Sequence, residues 1–269
     1  MPAVAGGRLQ RAFARAAQEK RAALVIYLCA GDPDLRTTER LVLAAAEAGA
    51  DVIEVGMPFS DPTADGPVIQ RASERALRSG TTLEGLFATV AAVRAKSEVG
   101  IVLFGYYNPL LAFGEAEVAL AAQRAGVDGM LVVDLPPEEA GPLLRALSQN
   151  GLDFVPLIAP TTPDARIDRI AKTASSFLYY VSLTGVTGAK ADLERAGKRA
   201  SEVRARTGLP VAVGFGVKTV EDARAAAVHA DGVVVGSAIC SAVEQAASPD
   251  QAVAAVRELV RSLRAACTR

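Results

Sequence analysis

The sequence predicts an α/β fold in which eight parallel strands and eight helices close into a single (β/α)8 barrel. Short apolar runs recur eight times along the chain, and a segment with helical periodicity follows each of them. The runs are apolar nearly throughout, which is typical of parallel strands buried on both faces. A chain of 269 residues also has the usual length of such a barrel. We therefore expect residues 1–269 to form one domain.

The predicted strands are short runs rich in Val, Ile, Leu and Phe. In chain order they are Leu24–Leu28, Val52–Val55, Ile101–Phe104, Gly129–Val133, Phe154–Ile158, Phe177–Val181, Val211–Val213 and Gly232–Val235.

The segments that follow are rich in Ala, Leu and Arg and repeat their apolar residues every three or four positions, which predicts helices. In chain order they are Thr37–Ala48, Leu83–Lys96, Glu115–Ala125, Glu138–Gln149, Pro163–Thr173, Leu193–Arg206, Val220–Val228 and Gln251–Ala266. The second connection is longer, and we expect an extra helix over Val68–Ser79 within it. Before the first strand, an amphipathic helix is expected to place Leu9, Phe13, Ala16 and Ala17 on one face.

A faint internal repeat supports the barrel over an open doubly wound sheet. The motifs Ala48–Asp51, Ala125–Asp128 and Ala230–Gly232 each precede a predicted strand, where a glycine can end a helix and an acid can open the strand. The open sheet remains the alternative, but no G-x-G-x-x-G motif follows the first strand.

Composition excludes several classes of function. Lys and Arg number 29 against 30 Asp and Glu, so the net charge of -1 gives no electrostatic basis for binding nucleic acid or anionic membranes. No apolar run reaches the roughly 18 residues that a membrane span needs. Cys29, Cys240 and Cys267 are far apart, which argues against a disulfide framework or a zinc site and fits a reducing cytoplasm.

A carboxylate in the second predicted strand is the first candidate for chemistry. Strand residues alternate between faces, so if Ile53 and Val55 face the helices, Val52 and Glu54 face the barrel interior. Glu54 then lies near the C-terminal end of the strand, where barrel active sites occur. Burial should raise its pKa and suit it to proton transfer near neutral pH. The alternative is a structural Glu paired with an Arg or a backbone amide.

The loop that follows contains a second acid, Asp65, in the run Pro62–Pro67. An Asp before Gly is common in turns and at helix N-caps, so a purely structural role stays open for Asp65. The same alternative applies to Asp61 and Asp32, which each precede a proline.

Glycine-bearing loops follow the last two strands, and in barrels these loops commonly bind phosphate. They are Gly214-Phe215-Gly216 and Gly236-Ser237, with Ser237 also a candidate N-cap. A third such loop, Ser182–Gly188, is expected to act as a mobile lid over the mouth.

Several common chemistries are disfavoured. The sole histidine, His229, precedes the eighth strand and so lies at the face opposite the active site, which disfavours histidine catalysis and a histidine metal site. None of the six lysines falls in a predicted strand, as a Schiff-base aldolase would require. Carboxylate-driven proton transfer remains, aided by Tyr106 or Tyr179, although each tyrosine could serve in packing alone.

The motifs together resemble the α subunit family of tryptophan synthase across nearly the whole chain. The most specific match is Glu54–Pro67, with its P-F-S-D-P-x-A-D-G-P run. The other matching segments are Tyr27–Pro33, Gly105–Pro109, Gly185–Gly188, Gly214–Gly216 and Gly236–Ile239. Two positions differ from the family's usual residues: Cys29 stands where Thr is common, and Thr63 where Val or Leu is common.

The resemblance implies a barrel that cleaves indole-3-glycerol phosphate into indole and glyceraldehyde 3-phosphate. It implies that Glu54 is the general acid and base, and that Asp65 binds the indole N–H and stabilises positive charge on the ring. It also implies that Thr187 closes the sixth-strand loop onto Asp65. The implied phosphate ligands are Gly188, Gly216, Gly236 and Ser237. The implied indole pocket consists of Tyr27, Phe104, Tyr106, Tyr179 and Phe215.

The resemblance further implies no cofactor and no metal in this chain, and an α2β2 complex with a β subunit that carries pyridoxal phosphate. The residues implied to face that subunit are Pro58, Asp61, Asn108 and Pro136. Two alternatives stay open: a stand-alone lyase that releases indole, and a catalytically silent barrel that regulates the β subunit. The presence of both carboxylates argues against the silent barrel.

Overall fold

The computed structural model describes residues 6–181, 190–214 and 216–269, with side chains for all of these except residues 190–194. Within them, nine strand segments form one parallel sheet in the order β5-β4-β3-β2-β1-β9-β8-β7-β6. The segments are β1 (Ala23–Cys29), β2 (Val52–Gly56), β3 (Gly100–Gly105), β4 (Gly129–Val132), β5 (Asp153–Phe154), β6 (Leu157–Ile158), β7 (Leu178–Val181), β8 (Val211–Gly214) and β9 (Gly232–Val235).

The sheet closes into a barrel through β5 and β6, which are two halves of the predicted fifth strand. β5 pairs with β4, and β6 pairs with β7. The ladder continues between them, because Val155 N–H donates to Met130 O at 2.9 Å and Tyr179 N–H donates to Pro156 O at 3.1 Å. Proline lacks an N–H, which interrupts the regular strand at this point. The predicted eight-stranded barrel is therefore confirmed, with its fifth strand in two pieces.

Helices surround the sheet on the outside and follow the strands as predicted. They are α1 (Arg8–Gln18), α2 (Leu35–Glu47), α3 (Pro67–Arg78), α4 (Leu83–Arg94), α5 (Tyr107–Phe113), α6 (Glu115–Ala125), α7 (Gly141–Gln149), α8 (Asp164–Ala171), α9 (Lys190–Thr207), α10 (Val220–Ala227), α11 (Ser237–Gln245) and α12 (Pro249–Ala266). No bounds were predicted for α5 and α11, although the candidate N-cap at Ser237 implied a helix at the second of these places. Gly236, not Ser237, is the N-cap residue of α11. The described helices include none that is both long enough and apolar enough to span a bilayer.

Alternation along the strands divides the apolar residues into two sets. Residues such as Val25 and Val52 face the barrel interior, whereas Ile26, Ile53 and Val55 face the surrounding helices. The predicted inward direction of Val52 is therefore correct, and the direction of Glu54 follows from it.

Helix α1 closes the N-terminal end of the barrel. Leu9 and Phe13 are buried in the interior cluster, and the Phe13 ring stacks on Phe177 with ring centroids 4.6 Å apart. Three strands begin with glycines whose missing side chains leave room for Leu9 and Phe13: Gly100, Gly129 and Gly232. Ala17, predicted to lie on the same helical face, is exposed instead because the turn of the helix carries it to the solvent side.

The repeated acids before the strands act as clamps between neighbouring strands. Each carboxylate accepts a hydrogen bond from a backbone N–H at the start of the preceding strand in the chain, at 2.8 to 3.1 Å. The pairs are Asp51 with Leu24, Asp128 with Ile101, and Asp231 with Val211. These bonds satisfy strand-end donors that the ladder leaves unpaired. The repeat in the sequence therefore marks the N-terminal rim of the barrel.

Candidate active site

Strand β2 places Glu54 in the interior of the barrel near its C-terminal mouth. Its neighbours in the ladders are Tyr27 on β1 and Val102 on β3. The side chain is fully buried, and neither carboxyl oxygen has a hydrogen-bond partner among the described residues. The structural alternative, a Glu held by an arginine or a backbone amide, finds no support among those residues.

Burial without a partner changes the acidity of Glu54. Removing the charged form from water raises its pKa to about 8. The group is therefore mostly protonated at neutral pH and can donate a proton, after which the carboxylate is a base of matching strength. An unpaired buried carboxyl also costs stability, which is typical of functional sites rather than of packing.

Asp65 lies in the loop between β2 and α3, two residues before the helix begins at Pro67. The Tyr106 hydroxyl donates a hydrogen bond of 3.0 Å to its carboxylate. Partial burial raises the pKa of Asp65 to about 6, and the hydrogen bond from Tyr106 opposes that rise. Asp65 is thus largely ionised at neutral pH, whereas Glu54 is not. Asp65 does not cap α3 with its side chain, because Gly66 is the N-cap residue.

A cavity of about 50 Å³ joins Glu54 to the glycine loops at the mouth. Three aromatic side chains predicted for the substrate pocket line it: Tyr27, Phe104 and Tyr179. Gly216, Gly236 and Ser237 line the same cavity, together with Val217 and Val234. The sheet therefore brings the carboxyl group of β2 next to the loops after β8 and β9, as the positions in the sequence predict.

The loops after β8 and β9 have the backbone geometry of an anion site. Gly216 adopts a φ of 101°, a region that other residues rarely enter. Gly236 precedes α11, and Ser237 is the first residue of that helix. The first N–H groups of a helix lack partners within it and, with the helix dipole, attract anions.

Glu54 and Asp65 both raise the pKa of the same two buried tyrosines. Desolvation raises the pKa of Tyr27 and Tyr179 well above the ordinary value, and the charges of Glu54 and Asp65 add to both shifts. The Tyr27 ring packs edge-on against Phe104, with centroids 5.0 Å apart. Tyr106, also buried, lies at the end of β3 and faces Asp65 rather than the cavity.

The remaining predicted residues divide into two groups. Those predicted to face a partner subunit follow the adjacent strands β2, β3 and β4 and are at least partly exposed: Pro58, Asp61, Asn108 and Pro136. Thr187, Gly188 and Phe215, together with the predicted lid, lie outside the described residues.

Two features at the mouth were missed from the sequence. Val234 lines the cavity, and alternation along its strand could have predicted this. Arg75 holds the buried Asp32 through two hydrogen bonds of 2.8 Å, but no spacing in the sequence indicates this pair. Cys29, where Thr is common, is buried with its thiol directed at the carbonyl of Ala30, at 3.9 Å.

A larger groove of about 920 Å³ lies at the opposite end of the barrel, beside α1. Its charged residues are largely paired with one another, as in Arg8 with Glu98 at 2.6 Å and Arg15 with Asp51 at 3.0 Å. Catalytic groups of barrels lie at the C-terminal ends of strands, so the smaller cavity is the better candidate. No group of three or more His, Cys, Asp or Glu suited to a metal ion occurs within the described residues.

A closed α/β barrel with an unpaired acid at its C-terminal mouth and glycine loops beside it defines the class of acid–base barrel enzymes that act on anionic substrates. A family model described as Tryptophan synthase alpha chain matches residues 13–268. The chain therefore belongs to the tryptophan synthase alpha chain family.

Individual relatives agree with this assignment. The chain is 50% identical over 240 residues to a tryptophan synthase alpha chain of Geotalea daltonii, covering 89% of this chain and 91% of the relative. The relative from Citrifermentans bemidjiense is 51% identical over 233 residues, covering 86% and 87%. The solved alpha subunit of Legionella pneumophila superposes with a TM-score of 0.89 at 37% identity, covering 98% of this chain and 99% of that one.

Proposed function

We propose that this chain cleaves indole-3-glycerol phosphate into indole and glyceraldehyde 3-phosphate, a carbon–carbon lyase reaction of tryptophan biosynthesis. The observation that carries the proposal is the fully buried Glu54, which has no hydrogen-bond partner within the described part of the chain and shares one cavity with Gly216, Gly236 and Ser237. Retro-aldol cleavage needs an acid and a base at opposite ends of one bond, and an anion site for the triose phosphate. This arrangement supports both requirements.

Glu54 serves as the acid and then as the base. Its carboxyl group, protonated at neutral pH, gives its proton to the indole ring carbon that bears the side chain. The carboxylate that results takes the proton of the adjacent glycerol hydroxyl. The carbon–carbon bond then breaks, its electron pair returns to the ring, and the hydroxyl oxygen becomes the aldehyde oxygen. A pKa of about 8 supports both roles, because the group holds its proton at neutral pH and its carboxylate is a stronger base than an ordinary one.

Asp65 stabilises the charge that appears on the ring. Protonation of the ring carbon makes the indole a cation, and the proposal pairs this cation with the carboxylate of Asp65 through the indole N–H. A pKa of about 6 supports this role, since the group is ionised at the pH at which Glu54 holds its proton. In many active sites, two acids with different pKa values take different roles, one as a proton donor and the other as a carboxylate anion.

The phosphate is held by backbone N–H groups at Gly216 and at the start of α11, with the hydroxyl of Ser237 as a further donor. The positive φ of Gly216 and the free first turn of the helix support this assignment. In the proposal Thr187, Gly188 and Phe215 complete the site. The cavity of about 50 Å³ is smaller than the few hundred Å³ that ligand sites enclose, so substrate binding must displace side chains at the mouth.

The proposal includes a β subunit that receives the indole and carries pyridoxal phosphate, whereas this chain uses no cofactor. Its docking face is assigned to Pro58, Asp61, Asn108 and Pro136, which follow the neighbouring strands β2, β3 and β4. Structures entitled tryptophan synthase from M. tuberculosis, with chains 33% identical and a TM-score of 0.88, support a two-subunit assembly. A cytoplasmic location is part of the proposal, supported by three free cysteines.

The test is a steady-state assay of triose phosphate released from indole-3-glycerol phosphate, with and without added β subunit. We expect Glu54→Gln to lose about three orders of magnitude or more in kcat, as when other enzymes lose their acid–base group. The exposed Glu98→Gln is the matched control, with unchanged activity. Cleavage at the normal rate by Glu54→Gln would refute the assigned role. A wild-type chain that forms no product would favour a silent regulatory barrel, and a rate unaffected by the β subunit would favour a stand-alone lyase.

A further inference from the structure

Four charged residues join three elements at the mouth of the barrel. The Arg75 guanidinium donates to both oxygens of Asp32 at 2.8 Å and to Glu244 at 2.8 Å. Arg71 donates to both oxygens of the same Glu244, at 2.7 and 2.8 Å. Asp32 lies in the loop after β1, the arginines lie on α3, and Glu244 lies on α11. This set is the arginine network.

The network connects two helices whose N-terminal ends lie at the proposed active site. Helix α11 begins at Ser237, in the anion site, and Glu244 lies one residue before its C-terminal end. Helix α3 begins two residues after Asp65. Since a helix moves nearly as a rigid rod, fixing the far end of α11 also fixes the direction in which its first N–H groups point.

The ionic contacts compensate an unfavourable position. A carboxylate near the C-terminal end of a helix opposes the helix dipole, and α11 carries no basic residue in its own last turn. Arg71 and Arg75 supply the missing positive charge from α3. The hydrogen bond from Arg71 is the main reason that the pKa of Glu244 falls to about 2, so the contact is ionised over the working pH range.

The fully buried residues of α3 are small: Ala72, Ser73 and Ala76. The larger Val68 and Ile69 pack against the interior cluster only in the first turn of the helix. Cys240 is the residue of α11 in the same interior cluster. Small side chains interdigitate shallowly and allow sliding, whereas bidentate Arg–carboxylate pairs fix both distance and orientation. Asp32 is only 3% exposed, so Arg75 is itself anchored to a buried group.

We propose that Glu244, held by Arg71 and Arg75, is a positioning residue that keeps the N-terminal end of α11 in place as the anion site. The identity of the substrate rests on the function proposed above, but the effect on phosphate binding does not. Glu244 touches no substrate in this scheme, since it lies at the other end of its helix. Its loss therefore weakens binding of the phosphate group in the ground state and the transition state alike, which raises KM more than it lowers kcat.

The experiment compares the full-length wild type with Glu244→Gln and Glu244→Asp. Binding of inorganic phosphate is measured by titration calorimetry, and KM and kcat by the cleavage assay. We expect Glu244→Gln to raise both the Kd of phosphate and KM by about three- to tenfold, in the range of measured couplings through such networks, with kcat changed less than twofold. Glu244→Asp, which keeps the charge, should recover part of the loss. The control is Arg206→Gln, which breaks a bidentate pair with Asp168 at 2.6 Å between α9 and α8 and should leave both constants unchanged.

Each outcome decides the inference. A folded Glu244→Gln variant whose phosphate Kd stays within twofold of the wild type would overturn it, and so would an equal loss in Arg206→Gln. If Glu244→Gln does not fold, Arg71→Gln removes one of the two partners and must still weaken phosphate binding. Failure of the wild type to bind phosphate also overturns the inference. Binding that depends on Glu244 in a chain that cleaves no substrate would refute the proposed function and leave the inference standing.

Discussion

Tyr106 holds Asp65 from a different strand of the barrel. Its hydroxyl donates to the Asp65 carboxylate at 3.0 Å and accepts from the backbone N–H of Ala64 at 2.9 Å. One phenol from the end of β3 thus fixes both the backbone and the acid of the loop after β2. The hydrogen bond from Tyr106 favours the ionised form of the carboxylate, which the proposed binding of a ring cation needs.

Tyr106→Phe should change the pH dependence of cleavage. In the wild type, the hydrogen bond from Tyr106 lowers the pKa of Asp65. Without it the pKa rises above about 6, and a smaller fraction of Asp65 is ionised at pH 7. We expect the acidic limb of the kcat/KM profile to move to higher pH, with the alkaline limb unmoved. The control is Tyr107→Phe. The hydroxyl of Tyr107 donates to Glu115 at 3.0 Å and does not contact Asp65. An unshifted acidic limb in Tyr106→Phe would show that this bond does not set the acidity of Asp65.

Glu54 should make the fold less stable as the pH rises. Its folded pKa of about 8 exceeds the ordinary value of 4.5, so the folded chain holds one more proton than the unfolded chain between these values. The free energy of unfolding therefore falls with pH across this window, by about 5 kcal/mol at most. Glu54→Gln removes the ionisation, and its stability relative to wild type should increase from pH 4.5 to pH 8. Urea unfolding at several pH values measures this difference; a constant difference would mean that Glu54 is not buried as described.

The barrel could be predicted because its signals are local. Period-two alternation placed Glu54 on the inner face, and the short, nearly all-apolar strands indicated burial on both sides. The positions of Gly216 and Gly236 beside Glu54 could be predicted as well, because these glycines follow strands whose places in the barrel are fixed by their order.

Contacts between side chains distant in sequence could not be predicted in this way. Arg75 and Glu244 are separated by 169 positions, and each belongs to a helix with several other charged or polar residues. Which of these side chains come into contact depends on how α3 and α11 are rotated about their axes and shifted along them. Sequence periodicity does not determine either quantity. The hydrogen bond between Tyr106 and Asp65 was missed for the same reason, although each residue was identified as a candidate.

Asp51→Ala should be far more destabilising than loss of an exposed acid. Asp51 is 2% exposed, accepts the Leu24 N–H at 2.9 Å and pairs with the buried Arg21. Its removal leaves the strand donor without this acceptor and the buried Arg21 with the partly exposed Glu19 as its ionic partner, at a cost of about 3 kcal/mol. Glu98→Ala removes an exposed pair with Arg8 and should change stability far less than Asp51→Ala. Urea unfolding of the two variants measures both costs, and equal values would contradict the role of Asp51 as a clamp.

Gly56→Ala should impair cleavage more than its cost in stability suggests. Gly56 faces the interior, and a Cβ added there would lie 2.3 Å from the Tyr27 hydroxyl oxygen and 2.6 Å from the ring. The ring is buried against Phe104 and lines the cavity, so we expect it to move into the space that the substrate needs. Overpacking of this kind costs about 1–3 kcal/mol.

Gly105→Ala is the matched control, because its Cβ would meet the terminal methyl of Met57 at 2.4 Å on the outer face of the same sheet. A methionine end can turn aside, whereas the Tyr27 ring moves only as a unit. We therefore expect both variants to lower the melting temperature, but only Gly56→Ala to raise KM for indole-3-glycerol phosphate markedly. If KM rises equally in both, the inner and outer faces are not separated in function, and Tyr27 does not shape the substrate pocket.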